Sequence, residues 1–127
     1  IAWFIAQLIK TVLYWIMNRK LDLSRVFGSG GMPSSHSASV SALALSAALE
    51  YGLSSFAFAV SFVVAAIVVH DARGVRNEAG KHARILNEML KDDGINPDLK
   101  EWIGHSFWQV VMGILLGVLT TFIFFGF

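Results

Sequence analysis

A small polar cluster with the residue types of a phosphate site, GGMPSSHSA, occupies residues 30–38. We predict that a helix begins at Pro33. Its first turn then holds Ser34, Ser35 and His36. The free N–H groups of a first helical turn attract anions, serine hydroxyls add donors, and a histidine can donate a proton near neutral pH. The cluster therefore indicates either a phosphate cradle with an acid beside it, or only a capped membrane helix.

A second cluster, GHSFWQVVMGILLG, occupies residues 104–117. His105 and Gln109 are four residues apart, which places them on one face of a helix. Gln109 can hydrogen-bond one nitrogen of the imidazole and leave the other nitrogen for attack. Gly113 and Gly117 would let another helix pack closely. A lone histidine at the start of a helix is often only a cap. Because His36 also lies at the start of a predicted helix, the two histidines together favour a shared functional site.

Charged residues within or beside apolar runs are further candidates. A lysine in the middle of a membrane helix costs free energy unless it is paired or faces a polar cavity. We therefore expect Lys10 to be paired internally or to face the site, the alternative being that it reaches the membrane surface. Asp71 and Arg73 follow an uncharged run. Asp71 is predicted to pair with an arginine or with Lys10, and Arg73 either supports the site or is solvated.

The elements that would position these residues are four apolar segments in a chain that is 55% hydrophobic. They span residues 1–17, 38–53, 54–69 and 107–127. A full crossing needs about 20 residues, so the two middle segments need flanking residues, and a buried helical hairpin is their alternative. We predict an all-α integral membrane protein with about four transmembrane helices.

Residues 71–104 connect the third and fourth predicted spans. They begin with an amphipathic helix that we expect at the membrane interface. Asp92, Asp93 and Gly94 end this helix, and a second short helix is predicted from Asn96. We expect residues 1–127 to form a single membrane-embedded helical domain.

The charges predict an orientation. With four spans, nine of the ten Lys and Arg residues lie on the same side as the polar cluster. The positive-inside rule makes that side cytoplasmic or its equivalent, in a bacterial inner membrane or a plastid membrane. A net charge of +1 gives no reason to expect nucleic acid as a partner, and the lack of cysteine excludes disulfides and thiolate metal sites.

Several of these strings resemble a known superfamily. PSSH, followed by a Ser/Ala-rich helix, resembles the PSGH motif of the type 2 phosphatidic acid phosphatase superfamily, which also includes the vanadium haloperoxidases. GHSFWQVVMGILLG looks like its third motif. GGMPSSHSASVSAL and HDARGVRNEAGKHARILN are more similar to its divergent branch of small membrane proteins. The similarity covers most of the chain, from about residue 6 to residue 117.

The resemblance implies a membrane-embedded phosphatase that hydrolyses a lipid phosphate or diphosphate through a phosphohistidine intermediate. By this resemblance His105 attacks phosphorus and His36 protonates the leaving oxygen. Gln109 stands where the superfamily has the acid that orients the nucleophile. The implied substrate is a phospholipid or an isoprenoid phosphate, no cofactor or metal is expected, and a homodimer is compatible with four short helices.

The resemblance also implies the residues that bind phosphate, which are Lys10, Ser34, Ser35 and Arg76. Asp71 and Arg73 would support them. Two features depart from the superfamily. No Arg-Pro pair follows Lys10 at the usual spacing, and the position six residues before His105 is a leucine, so Arg76 is assigned the role of the missing arginine.

A rival alignment makes His82 the nucleophile, since Arg76 lies six residues before it. Leu86 then occupies the position of the acid, and no glycine-rich helix follows, so we favour His105. Three other functions stay open. They are a non-catalytic binder of lipid phosphates or anions, which the amide of Gln109 favours, a structural membrane subunit, and a haloperoxidase.

Overall fold

The computed structural model describes residues 1–19, 31–92, 94–95, 99–101 and 104–126. Within these ranges the chain is all-α and contains no strand, which confirms the predicted class for the part described. The helices are α1 (Ala2–Asn18), α2 (Ser35–Tyr51), α3 (Phe56–Arg73), α4 (Val75–Asp92) and α5 (Phe107–Phe125).

Serine residues start three of the helices. Ser34, Ser55 and Ser106 are the N-caps of α2, α3 and α5, and each side chain accepts a hydrogen bond from the backbone N–H three residues later. Such a cap satisfies one of the four N–H groups that have no partner within the helix. The prediction that α2 begins at Pro33 is therefore wrong. Pro33 precedes the cap, because Ser34 has an extended backbone and turns its hydroxyl toward Ser37.

Helix α2 is the centre of the bundle. It packs against α1, α3 and α5, whereas α1 and α3 do not contact each other within the described residues. Its buried side chains are small, which lets neighbouring backbones come close. A Cβ atom added to Gly113 of α5 would lie 2.4 Å from the carbonyl oxygen of Ser34, and one added to Gly117 would lie 2.3 Å from that of Ala38. The two predicted small residues thus serve the α2–α5 contact.

Two stretches of the described chain are long and apolar enough to cross a membrane. They are Phe56–Asp92, which comprises α3 and α4, and Phe107–Phe125, which is α5. Only 11% and 22% of their most apolar windows are buried inside the protein, so most of this surface faces outward, as a lipid-facing surface does. Helices α1 and α2 have 17 residues each, fewer than the roughly 20 of a full crossing. Four spans therefore stay a prediction.

The predicted amphipathic connector is helix α4, which follows α3 after Gly74. It ends at Asp92, as predicted, and Gly94 has a positive φ of 76°. The apolar side chains of α4 are not all buried, because Ala83 is buried whereas Met89 is 61% exposed. The short helix predicted from residue 96 begins outside the described residues, and residues 99–101 are not helical.

The α2–α5 contact can be tested through Gly117. Its added Cβ would meet backbone atoms of Ala38 and Ala42, which cannot move without separating the helices. We expect Gly117→Ala to lower the free energy of unfolding by about 1–3 kcal/mol, measured as a lower Tm in detergent. The matched control is Leu119→Ala on the same helix, which is 57% exposed and should change Tm little. An unchanged Tm for Gly117→Ala would contradict the close approach.

Candidate active site

The first turn of α2 is built from buried serines. Ser34, Ser35 and Ser37 are 0%, 2% and 0% exposed. The Ser34 hydroxyl oxygen accepts hydrogen bonds from the backbone N–H of Ser37 at 3.4 Å and from its hydroxyl at 3.0 Å. A hydroxyl has two acceptor lone pairs and one proton. Because both lone pairs of Ser34 are used within the turn, its O–H is the group left to donate, which suits an anion.

His36 follows in the same turn and is only partly exposed. Its Nδ1 atom is buried and has no hydrogen-bond partner among the described residues. Arg76, Lys10 and Asp71 lie close enough for their charges to act on its ring. The structure therefore brings the predicted acid within range of the charges of two of the predicted phosphate-binding cations.

His105 lies just before α5, and Gln109 fixes which of its nitrogens carries a proton. The backbone N–H of Ser106 donates to Oε1 of Gln109 at 2.9 Å. An N–H can only donate, so the side-chain oxygen, not the nitrogen, must point toward it. The same Oε1 lies 3.2 Å from Nδ1 of His105. Nδ1 must therefore carry the proton, which leaves the lone pair of Nε2 free for attack.

The surroundings of His105 favour the neutral form of its ring. The side chain is 3% exposed, and its backbone N–H donates to the carbonyl oxygen of Ala72 at 3.2 Å. Burial is the main cause that lowers the pKa of His105 below its ordinary value of 6.5. The hydrogen bond with Gln109 opposes this shift, while the charges of Lys10, His36 and Arg76 add to it. A neutral imidazole is the form that can act as a nucleophile.

Lys10 lies inside the protein, at 5% exposure, so its side chain does not reach the surface. Its aliphatic carbons pass close to Gly31, where an added Cβ would lie 3.3 Å from Cγ of Lys10. Gly31 has a φ of +86°, a conformation that favours glycine. The charge of Lys10 acts on both His36 and His105, which places it with the two histidines.

Asp71 pairs with an arginine, one of the two partners predicted for it. Its Oδ2 lies 2.7 Å from Nε of Arg76. This contact fixes the orientation of the guanidinium. Arg73 instead lies over the ring of Phe107, with 5.1 Å between Cζ and the ring centroid, and it is exposed. The structure does not bring Arg73 to the histidines.

His82, the rival nucleophile, is exposed on α4. The charges that act on His36 or His105 come from residues of α1, α2, α3 and α4, and His82 is not one of those residues. The described residues contain no group of three His, Asp or Glu side chains that could hold a metal ion.

Polar contacts that were not predicted from the sequence hold the segment before His105 in place. Asn87 of α4 donates to the carbonyl oxygen of Leu99 at 2.9 Å and to Glu101 Oε1 at 2.7 Å, and its Oδ1 accepts from the N–H of Leu99. Gly104 then lies against Asn77, where a Cβ would be 2.4 Å from a backbone atom. These contacts hold the segment before His105 against α4. An asparagine on the buried face of an amphipathic helix was the available signal.

Comparison with known proteins identifies the family of this chain. A family model described as the Divergent PAP2 family matches residues 1–120. The chain belongs to the divergent PAP2 family. The match includes both histidines, Lys10, Arg76 and the serines that cap α2 and α5, so the resemblance stated from the motifs is confirmed.

A relative of this divergent PAP2 protein is "Uncharacterized membrane protein YuiD" of Bacillus subtilis (strain 168). The two are 42% identical over 134 residues, which cover 93% of this chain and 85% of the relative. No solved structure matches the chain. The relative's name and the two apolar stretches of this divergent PAP2 protein agree on a membrane location.

The tautomer and pKa of His105 can be measured by NMR on histidine-labelled protein in detergent. We expect its resonances, identified by their loss in His105→Ala, to show a proton on Nδ1 and a pKa below 6.5. Gln109→Glu keeps an acceptor at Nδ1 and adds a negative charge that favours the imidazolium, so the pKa of His105 should rise.

The control is Ser106→Ala, which removes the capping hydroxyl but keeps the backbone N–H that orients Gln109. The pKa of His105 should stay as in the wild type. A wild-type ring protonated on Nε2 instead of Nδ1 would contradict the geometry.

Proposed function

We propose that this divergent PAP2 protein is a membrane-embedded phosphatase that hydrolyses a lipid phosphate or diphosphate through a phosphohistidine intermediate. One observation carries the proposal: His36 and His105, each at the start of a helix, lie together within reach of the charges of Lys10 and Arg76. A nucleophile, an acid and two cations are the groups that phosphoryl transfer from an ester to a histidine requires.

In the first step Nε2 of His105 attacks phosphorus. An N–P bond forms while the bond between phosphorus and the leaving oxygen breaks, and His36 donates a proton to that oxygen. The hydrogen bond between Nδ1 of His105 and Gln109 holds the ring in the reactive tautomer. Because His105 is buried and its pKa is lowered, no proton has to be removed from Nε2 before attack.

The phosphoryl oxygens gain charge as the nucleophile approaches. Lys10, Arg76 and the free hydroxyl proton of Ser34 are the groups we assign to them, with the N–H groups of the first turn of α2. Ser35 is assigned to the phosphoryl oxygens through its backbone N–H, which belongs to this first turn. Fixed donors in a buried site stabilise a transition state more strongly than water does, because they need no reorganisation.

In the second step water hydrolyses the phosphohistidine. His36, which has given up its proton, now takes one from the attacking water, the N–P bond breaks, and inorganic phosphate leaves. Both histidines return to their starting states. None of the assigned steps requires a metal, because the side chains supply the nucleophile, the acid and the positive charge.

A lipid substrate follows from the position of the site. It lies at the N-terminal ends of α2 and α5, and α5 is one of the apolar stretches whose surface is mostly exposed. A phosphate head group can enter there while its chains stay in the bilayer, as in a phospholipid or an isoprenoid phosphate. Since nine of the ten basic residues are predicted on this side, we place the site on the cytoplasmic or equivalent face.

A non-catalytic binder of lipid phosphates is the second candidate, and Gln109 favours it. A neutral amide fixes the tautomer of His105 as a carboxylate would, but it stabilises an imidazolium less. The binding groups would then hold a phosphate that His105 attacks slowly or not at all.

The test is phosphate release from a panel of phospholipid and isoprenoid phosphates in detergent, with a metal chelator present. We expect His105→Ala to lower kcat by at least about 10³-fold, because the nucleophile is lost. His36→Ala should lower it by about 10²–10⁴-fold, the usual contribution of a general acid.

The matched control is His82→Ala, which removes an exposed histidine outside the cluster and should leave kcat unchanged. Loss of activity in His82→Ala with retention in His105→Ala would show that the nucleophile was assigned wrongly. Phosphate binding without release from any substrate would favour the non-catalytic binder.

A further inference from the structure

Helix α1 carries a buried polar side chain to which the proposed mechanism gives no role. Gln7 is 4% exposed, and its Oε1 atom is buried without a hydrogen-bond partner among the described residues. A buried amide oxygen without a partner destabilises the folded protein, because the oxygen loses its hydrogen bonds to water and gains none in return. Such an atom calls for an explanation, and a ligand that donates to it is one.

Gln7 lies where the packed core meets the proposed site. The buried face of α1 consists of Ala2, Ala6, Gln7 and Lys10. Ala6 belongs to the same apolar cluster as Ala38, one turn into α2. Lys10, one turn further along α1, acts on both histidines. Gln7 stands between these two residues, so its side chain is one helical turn deeper than the cation assigned to phosphate.

The unpartnered atom is an acceptor, whereas the groups assigned to the phosphoryl oxygens are donors. Lys10, Arg76 and the Ser34 hydroxyl all donate, and they suit any oxyanion. A carbonyl oxygen such as Oε1 of Gln7 cannot bond an ionised oxygen, but it can accept from a protonated P–OH. Phosphate and its monoesters carry such a proton in their monoanionic form near neutral pH, whereas sulfate is fully ionised and carries none.

We propose that Gln7 is a specificity-determining residue whose Oε1 accepts a hydrogen bond from the P–OH of a phosphoryl monoanion. The inference rests on the proposed function in one respect, namely that this site takes a phosphoryl group. It adds that the site prefers a protonated oxyanion. Phosphate affinity should therefore weaken as pH rises and the monoanion is lost, and sulfate should bind poorly at every pH.

The experiment measures binding of inorganic phosphate and of sulfate by titration calorimetry in detergent, at pH 6 and pH 8. Gln7→Met replaces the amide with an apolar chain of similar length. We expect it to weaken phosphate binding at pH 6 about tenfold, the usual effect of one lost hydrogen bond to a charged group, and to leave sulfate binding unchanged. Its Tm should not fall, since the variant removes an acceptor without a partner.

Two further variants sharpen the result. Gln7→Glu keeps an acceptor and should retain phosphate binding at pH 6 while it weakens sulfate binding by adding a negative charge. Thr11→Val on the same helix removes a hydroxyl that donates to the backbone carbonyl of Gln7, and it should leave the preference for phosphate unchanged.

Equal losses of phosphate and sulfate affinity in Gln7→Met would overturn the proposal, because the amide would then act as a general donor. Unchanged affinities with a lower Tm would also overturn it, in favour of a structural role. Wild-type protein that binds neither anion would refute both this inference and the site on which it rests. Selective binding without turnover would refute only the phosphatase.

Discussion

One backbone hydrogen bond between two helices governs the geometry of the site. The N–H of Ser34, at the cap of α2, donates to the carbonyl oxygen of Gln109 in the first turn of α5 at 3.0 Å. Gly113 makes this approach possible, because a side chain there would overlap the carbonyl oxygen of Ser34. His36 is two residues from one end of this bond and His105 is four residues from the other. Each ring is therefore placed by the same pair of backbone segments.

The charged residues near this backbone hydrogen bond make an anion the expected ligand. Lys10 is buried and Arg76 is half-buried, whereas Asp71 is the acid whose charge acts on His36. In the proposed mechanism these cations bind the phosphoryl group, and they stabilise the additional charge that it carries during transfer. In this mechanism the same residues therefore bind the phosphoryl group and promote its transfer.

Local patterns in the sequence were sufficient to predict part of this arrangement. The pairing of His105 with Gln109 followed from their spacing on one helix face, and the α2–α5 contact followed from glycines four residues apart. Pro33 was misplaced because the same string allows two caps, and only the turn of the Ser34 hydroxyl toward Ser37 distinguishes them. The all-α class was evident from the apolar segments. How many of these segments cross the membrane is harder to predict, because some of the helices are close to the minimum length of about 20 residues that a crossing needs.

The remaining parts depend on contacts between residues distant in sequence, which spacing cannot reveal. Asn87 meets residues 12 and 14 positions later, and nothing in its own helix marks that partner. The sequence alone does not distinguish the roles of Arg73 and Arg76. In the structure Arg73 lies against Phe107, whereas Arg76 pairs with Asp71. Gln7 was not identified because a single amide within an apolar run is common and indicates no function. That its Oε1 lacks a hydrogen-bond partner among the described residues is visible only once the helices are packed together.

The measurement that tests the central claim most directly is acid-sensitive phosphorylation of the protein during turnover. Wild-type protein is mixed with a radiolabelled lipid phosphate, quenched in alkali within the first turnover, and digested for mass spectrometry. The account predicts one phosphopeptide, labile in acid and stable in alkali, with the phosphate on His105, and none in His105→Ala. Phosphate found on His82, or turnover of substrate with no phosphorylated histidine at any time, would contradict it.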